Sequence, residues 1–248
     1  MNKYKSCSAL KSEAREALTG KYGSFILMLL VLYSVILAIE TAISIFISVP
    51  EALTQIFGGG TGSSNAIGTV RLLLQACLTI FVGMFKAGTV LFCLNARCGR
   101  KSGVSDLFYP FHDFRRSLAV SAAVLIPQII LLLPCNILQL IYQNTGELNF
   151  LIAAFVCFAA GACLYIPISI MLSMSFYLLL DFPQYSAREI LAMSIKITKG
   201  HRGKLFYMEL SFIPVRLLVL LSCGIGILWA FPYISMTYTE FYLDRMKA

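Results

Sequence analysis

The sequence predicts an all-α fold, that of a polytopic helical membrane protein with about six transmembrane helices. Two observations lead to this class. Of the 248 residues, 58% are hydrophobic and only 13% are charged, and the apolar residues form runs longer than the ~20 residues that cross a bilayer. A soluble domain has about 25% charged residues. A chain with so few charges would expose too much apolar surface to water, which favours a place in the bilayer.

Four long apolar segments supply the first four predicted spans. They cover residues 24–49, 70–96, 117–142 and 150–180. The first segment contains Glu40, and the second contains Arg71 near one end and Lys86 inside, whereas the third and fourth carry no charge. The fourth is long enough to cross the bilayer at a tilt.

The last apolar stretch, residues 205–239, is interpreted as two spans. As one helix it would be roughly 50 Å long at 1.5 Å per residue, well beyond the ~30 Å hydrocarbon core. Gly224 and Gly226 lie near its middle, where a tight turn can form. The predicted spans are therefore residues 205–222 and 225–241. The alternative is one long kinked helix, which gives five spans.

Basic residues are concentrated in every second connection between the spans. These connections contain Lys21, Arg115, Arg116, Lys199, Arg202 and Lys204. Lysine and arginine are enriched in cytoplasmic connections, so both termini are expected to be cytoplasmic. Five spans would put Arg245 and Lys247 on the outside, against this rule, and the charge pattern therefore favours six.

Each basic segment also has the pattern of an amphipathic interfacial helix, placed before spans one, three and five. The apolar faces consist of Leu10, Ala14, Ala17 and Leu18 in the first, of Leu107, Phe108, Phe111 and Phe114 in the second, and of Ile190, Leu191, Ser194, Ile195 and Thr198 in the third. Ser105 and Asp106 are expected to cap the second helix. Helices of this kind lie in the membrane interface.

The order of one interfacial helix and two spans then occurs three times. It divides a single membrane domain, 1–248, into possible pseudo-repeats 1–96, 97–180 and 181–248. A short match supports this division, since Ala14-Arg15-Glu16 has the same residues as Ala187-Arg188-Glu189. Short matches also arise by chance, and three unrelated linkers remain the alternative.

Two stretches of the chain have a distinctive residue order. One is Ala14-Arg15-Glu16-Ala17-Leu18 followed by Gly20-Lys21-Tyr22-Gly23, and the other begins with Leu180-Asp181-Phe182-Pro183 and continues with Lys199-Gly200-His201 and Gly224-Ile225-Gly226. Together they resemble a family of bacterial integral membrane proteins that is catalogued as a domain of unknown function, number nine hundred and seventy-five. The resemblance implies a location in the bacterial cytoplasmic membrane and no established activity.

Four charged residues fall inside predicted spans: Glu40, Lys86, Glu209 and Arg216. Charges are costly at that depth and are therefore candidates for function. Depths estimated from the helical rise predict two pairs, Glu40 with Arg216 and Lys86 with Glu209. Two interpretations stay open. The charges line a path for ions or protons, or they form structural ion pairs while Lys86 extends to the cytoplasmic face.

Motifs for catalysis or metal binding are missing from the sequence. The eight cysteines form no C-x-x-C pair, and His112 and His201 have no matching cysteine or serine pattern. No phosphate loop, H-E-x-x-H or G-x-S-x-G motif is present. We therefore expect no enzyme activity, no catalytic residues, no cofactor, no metal and no nucleic-acid partner.

The expected function is binding rather than catalysis. Lys21, Arg115, Arg116, Lys199, Arg202 and Lys204 are the candidates for contacts with anionic lipid headgroups. The first hypothesis is a non-enzymatic component that binds lipid or another membrane protein, and control of topology alone is an equally simple role for the basic residues. The alternative function is a small transporter or channel whose intramembrane charges line a path.

Overall fold

A computed structural model describes residues 5–56 and 61–246 of the chain. In these residues the fold is all-helical, with no strand, which confirms the all-α part of the predicted class. The α-helices are α1 Cys7–Leu18, α2 Tyr22–Ile56, α3 Thr61–Arg97, α4 Phe114–Thr145, α5 Leu148–Leu172, α6 Ser175–Asp181, α7 Ala187–Thr198, α8 Arg202–Leu210, α9 Ile213–Leu221 and α10 Ile227–Met246. A 3₁₀ helix, Val104–Phe111, precedes α4.

Four helical segments of the described chain are long and apolar enough to cross a membrane. They are Tyr22–Phe46, Leu72–Arg97, Phe114–Gln143 and Leu148–Asp181. These segments coincide with the first four predicted spans. The predicted total of about six spans goes beyond this finding, because the helices that follow Asp181 are shorter or more polar.

The final apolar stretch contains the predicted turn and a second break that was not predicted. Helix α9 ends at Leu221 and α10 begins at Ile227, with Gly224 at φ +88°, a conformation that favours glycine. The single helix predicted for residues 205–222 is wrong, because α8 ends at Leu210. Pro214 stands in the first turn of α9, and proline both lacks an amide hydrogen and clashes with the carbonyl four residues earlier.

The chain folds into two compact units. In the described residues the first unit comprises 5–32, 84–120 and 170–246, and the second comprises 33–56, 61–83 and 121–169. The largest fully buried side chains all belong to the first unit. They are Tyr242, Phe25, Phe92, Phe212, Phe241, Leu10, Leu18, Met28, Leu29, Met84, Leu107 and Met174. Most of the packed core of the described chain therefore lies in the first unit.

Two of the predicted interfacial helices are covered by protein in the first unit. Helix α1 begins at Ser6, whose side chain accepts from the Ala9 amide, and its buried residues face α10. Helix α7 begins with a capping box formed by Ser186 and Glu189 and packs against α6. The apolar faces that the sequence assigned to the lipid interface therefore belong to the protein core, since a neighbouring helix covers them.

Helices α1 and α7 are built alike. Each has 12 residues and a serine N-cap with nearly identical backbone angles, and each is followed by a glycine with positive φ, Gly20 and Gly200. Their buried residues are Leu10, Ala14 and Leu18 in α1 and Ile190, Ser194 and Thr198 in α7. These positions correspond at a separation of 180 residues (6 and 186, 20 and 200). The matching Ala-Arg-Glu triplets are seven positions out of this register and are not structurally equivalent.

The segment before α4 is a 3₁₀ helix whose cap differs from the predicted one. Gly103 is the N-cap, and the Asp106 side chain accepts from the Gly103 amide at 3.3 Å, while Ser105 supplies no cap. Leu107 is fully buried against α3 at Gly88. A Cβ atom at Gly88 would lie 2.5 Å from the Leu107 carbonyl oxygen, so this glycine is required for the close approach.

The second unit is held by close contacts between helix backbones. Gly161 of α5 approaches α4 so closely that a Cβ atom there would lie 2.7 Å from the Leu131 carbonyl oxygen. Ser121 donates from its Oγ to the Ile80 carbonyl oxygen at 2.8 Å. Small residues that let helices approach in this way are typical of helix packing in membranes.

Candidate functional site

A buried ion pair lies near the C-terminal end of α10. The Glu240 side chain is only 3% exposed, and it forms an ion pair with Arg97, the last residue of α3. A buried carboxylate is costly unless it is paired, so this contact ties the two helices together. Neither residue was predicted as part of a site from the sequence. The available signal was Glu240 within a run that is otherwise apolar or hydroxylic.

Two stacked tyrosines continue this polar core. The rings of Tyr177 and Tyr242 stack with centroids 4.8 Å apart. The Tyr177 hydroxyl lies 3.2 Å from Thr239 Oγ1, and the Tyr242 hydroxyl donates to Asp181 Oδ2 at 2.5 Å. Each buried hydroxyl therefore has a partner, as buried polar groups require. These residues were not predicted, because contacts distant in sequence leave no periodic signal.

Two of the four predicted intramembrane charges pair with each other. Arg216 forms an ion pair with Glu209, with Nη2 and Oε2 2.5 Å apart, and the Tyr238 hydroxyl donates to the same carboxylate. The predicted pairs of Glu40 with Arg216 and of Lys86 with Glu209 are therefore wrong. The depth estimate treated residues 209 and 216 as points on one helix. They lie on α8 and α9, and their two long side chains reach each other across the break between these helices.

Glu40 and Lys86 remain without an ion pair among the described side chains. Both side chains are exposed, Glu40 on α2 and Lys86 on α3. The neighbours of Lys86 in the chain, Phe85 and Ala87, are buried. The structure therefore pairs one acid and one base of the predicted set and leaves the other two exposed.

Three of the six predicted headgroup ligands are used inside the fold. Lys21 donates to the Ala96 carbonyl oxygen, Lys204 to that of Lys5, and Arg116 to those of Leu179, Phe182 and Pro183. The carbonyl groups of Ala96 and Leu179 lie in the last turns of α3 and α6, where cations offset the helix dipole. These contacts give Lys21 and Arg116 a structural role.

The other three predicted ligands, Arg115, Lys199 and Arg202, are exposed. Arg115 lies in the first turn of α4, Arg202 is the first residue of α8, and Lys199 closes α7 just before it. Exposed aromatic residues flank them in the chain: Phe114, Phe206 and Tyr207. We refer to these six residues as the basic–aromatic set.

His201 lies between Lys199 and Arg202 in the chain, and its hydrogen bond to Arg245 indicates an uncharged imidazole ring. Arg245 donates from Nη1 to His201 Nε2 at 3.0 Å, which requires an unprotonated ring nitrogen. Burial lowers the pKa of His201, and the positive charges of Arg245 and Lys204 lower it further, while Asp244 acts in the opposite direction.

Metal-binding clusters are absent from the described residues. Among these residues no group of three or more His, Cys, Asp or Glu side chains is placed to hold a metal ion. The eight cysteines are free, with Cys93 buried and Cys77, Cys98, Cys163 and Cys223 exposed.

A family model described as "Protein of unknown function (DUF975)" matches residues 1–247, nearly the whole chain. No curated protein and no solved structure matches the chain.

Proposed function

We propose that this chain, which belongs to the DUF975 family of proteins of unknown function, is a non-enzymatic multi-pass membrane protein that binds anionic lipid headgroups. The observation that carries the proposal is the exposure of three cations, Arg115 and Arg202 at the beginnings of α4 and α8 and Lys199 at the end of α7. We place these helix ends at the cytoplasmic surface of a bacterial membrane, with both termini cytoplasmic.

The helix dipole does not account for the positions of these cations. A helix N-terminus carries a partial positive charge, so a basic residue there is slightly unfavourable and an anion is favourable. Arg115 and Arg202 both occupy first turns. A lipid phosphate near these turns would interact with the cations and with the free amide groups of the helix together.

The aromatic members of the basic–aromatic set support a location at headgroup depth. Phe114, Phe206 and Tyr207 are exposed close to the cations in the chain. Aromatic rings, above all those of tyrosine, are favoured where the apolar core of a bilayer meets its headgroups. Basic side chains at this level contribute about 1 kcal/mol each to the attraction of anionic lipid.

The proposal includes six spans, with α8–α9 as the fifth and α10 as the sixth. The turn between α9 and α10 is apolar and exposed: Leu221 is 82% exposed, and Leu220, Ile225 and Trp229 are exposed as well. A cluster of this kind needs an apolar environment. A turn inside or across the bilayer satisfies this need and returns α10 to the cytoplasmic side.

Transport by the intramembrane charges is the weaker proposal. A path for ions needs polar groups that are free to bind cargo, whereas Glu209 and Arg216 bind each other. A second membrane protein is the alternative partner for the exposed Glu40 and Lys86, since opposite charges on a partner would stabilise both.

Lipid retention tests the proposal. The protein is incorporated into discs that contain equal amounts of phosphatidylglycerol and phosphatidylcholine and is then released for native mass spectrometry. We expect bound phosphatidylglycerol to exceed phosphatidylcholine several-fold. The triple variant Arg115→Gln, Lys199→Gln, Arg202→Gln should lose most of this preference.

A matched control separates specific contacts from net charge. The triple variant Lys101→Gln, Arg188→Gln, Lys196→Gln removes the same charge at other exposed positions and should keep the preference. Equal loss in both triple variants, or no preference in the parent protein, would refute binding through the basic–aromatic set.

A further inference from the structure

A cleft with a volume of about 520 Å³ opens in the first unit. Its walls come from the ends of α3, α6 and α10 and from the 3₁₀ helix, and it contains no member of the basic–aromatic set. Its apolar wall consists of Leu91, Leu94, Leu180 and Leu243, and its charged lining consists of Arg100, Asp106 and Asp181. Ligand sites have volumes of about 300–1,000 Å³ and combine an apolar wall with a few fixed polar groups.

The carboxylate of Asp106 is fixed in the cleft wall. Its Oδ2 atom accepts from the Gly103 amide at 3.3 Å and from Asn95 Nδ2 at 3.1 Å. An ionised carboxylate has about four acceptor sites. Two are used by these donors, so acceptor capacity remains for a ligand in the cleft.

The carboxylate of Asp181 is fixed in a similar way. Tyr242 donates to Asp181 Oδ2 at 2.5 Å, and the Tyr242 ring is itself held by stacking on Tyr177. Asp181 is the last residue of α6, where a negative charge is unfavourable because the helix C-terminus is already negative. Helix stability does not explain an acid at this place, whereas a cationic ligand would.

Arg100 supplies the opposite charge at the same cleft. Gly99, two residues after the end of α3, has φ +70°, and the Arg100 amide donates to the Asn95 carbonyl oxygen at 2.9 Å, which turns the chain back over the helix end. The guanidinium is exposed and forms no ion pair with any described carboxylate. It is therefore available to bind an anionic group.

We propose that the cleft binds a phosphoethanolamine group, either as a phospholipid headgroup or as the free compound. The primary ammonium donates hydrogen bonds to Asp106 and Asp181, and the phosphate binds Arg100. The first carbons of a lipid glycerol lie on the leucine wall. Two carboxylates against one guanidinium disfavour a ligand that is only anionic, which distinguishes this site from the proposed anionic-lipid surface.

The test compares lipids that differ only in the ammonium group. In discs with equal amounts of phosphatidylethanolamine, phosphatidylcholine and phosphatidylglycerol, the parent protein should retain phosphatidylethanolamine in preference to phosphatidylcholine, whose ammonium has no hydrogen to donate. Free phosphoethanolamine is titrated in parallel into the protein in detergent, and binding is followed by calorimetry.

The double variant Asp106→Asn, Asp181→Asn should weaken phosphatidylethanolamine retention or phosphoethanolamine binding about tenfold or more, because two charge-assisted hydrogen bonds lose their charge. The amide introduced at position 181 keeps an oxygen acceptor for Tyr242, so the variant should fold, and circular dichroism checks this. Arg100→Gln should weaken binding through the phosphate. Asp113→Asn, at an exposed acid outside the cleft lining, is the control and should have no effect.

The outcomes distinguish a membrane phospholipid from free phosphoethanolamine as the ligand. They also distinguish failure of this inference from failure of the proposed function. Loss of lipid preference alone identifies the membrane lipid, and loss of binding by free phosphoethanolamine identifies the soluble compound. If the parent protein and the double variant do not differ in either assay, the inference is wrong. Retention of phosphatidylglycerol in the same samples depends on the basic–aromatic set and should not change with the two Asp variants.

Discussion

The two units of the molecule use similar apolar side chains in opposite ways. Phe25 and Phe92 of the first unit are almost completely buried and contact each other edge to face at 4.6 Å. Phe46 and Phe155 of the second unit are 72% and 71% exposed. Helices α1 and α6–α10 belong to the first unit only and cover its core. The second unit has no such cover in the described residues, and we propose that lipid takes that place.

The polar groups differ between the units as well. The first unit holds its helices with ion pairs and side-chain hydrogen bonds, such as those of Arg97 with Glu240 and of Tyr242 with Asp181. The second unit relies on close approaches at two glycines, Gly161 against the backbone of Leu131 and Gly83 against the side chains of Ser121 and Leu125. The first unit should therefore respond to changes of side-chain charge and volume, and the second to added volume at its glycines.

Removal of Arg97 should have the largest effect. The variant Arg97→Met leaves the Glu240 carboxylate buried without its partner, and loss of one member of a buried pair costs about 3–5 kcal/mol of unfolding free energy. The double variant Arg97→Met, Glu240→Met should lose much less. Chemical unfolding in detergent measures both, and equal losses for the single and double variants would contradict the pairing.

Truncation of one leucine in each unit compares the two environments directly. Leu10→Ala, at a side chain that is 0% exposed, should lower the unfolding free energy by about 2–5 kcal/mol because it leaves a cavity. Leu164→Ala, at 60% exposure, should change it by less than about 0.5 kcal/mol. A comparable loss at Leu164 would show that the second unit has a packed core of its own.

Substitution of glycine by alanine should have the opposite pattern, with the larger loss of stability in the second unit. Gly161→Ala should destabilise the second unit by about 1–3 kcal/mol, because the new methyl group would overlap the Leu131 carbonyl group. Gly203→Ala in α8 is the control, since nothing lies within 4 Å of its Cβ position. It should be neutral or stabilise by up to about 1 kcal/mol. Helix content and thermal unfolding of both variants provide the readout.

The pH response of His201 should be the smallest effect. The pKa of His201 is lower in the folded protein than its ordinary value of about 6.5, so protonation favours unfolding. The first unit should lose stability as the pH falls below about 6.5, until the pH has passed the folded pKa. Thermal unfolding between about pH 5 and 8 should show a flatter profile for His201→Gln, and an unchanged slope would exclude His201 as the cause.

The composition of short sequence stretches is enough to predict the first four spans and the last turn of this fold. The first four spans follow from the length of apolar runs, and the turn at Gly224 follows from two glycines in a run too long for one helix. Pro214 offered a signal for the break between α8 and α9, but prolines also occur inside α4 and α5 without ending them, so sequence alone does not decide between a break and a kink.

Contacts between distant residues lie outside what sequence patterns contain. The stripe of Leu10, Ala14 and Leu18 predicts an amphipathic helix correctly, but it does not say whether lipid or α10 covers that stripe. The sequence is equally silent on contacts between distant residues at the predicted headgroup ligands. The basic residues are visible in the sequence, whereas the use of Lys21 and Arg116 as helix caps depends on carbonyl groups from other segments.

Photolabelling tests most directly whether lipid covers the second unit while protein covers the core of the first. The protein in its membrane is treated separately with a lipid-soluble and a water-soluble diazirine, and the labelled residues are mapped by mass spectrometry. We expect the lipid-soluble reagent to label Phe155 and Leu164, and neither reagent to label Leu10 or Phe92. Labelling of Phe155 by the water-soluble reagent, or of Phe92 in the folded protein by either one, would contradict this expectation.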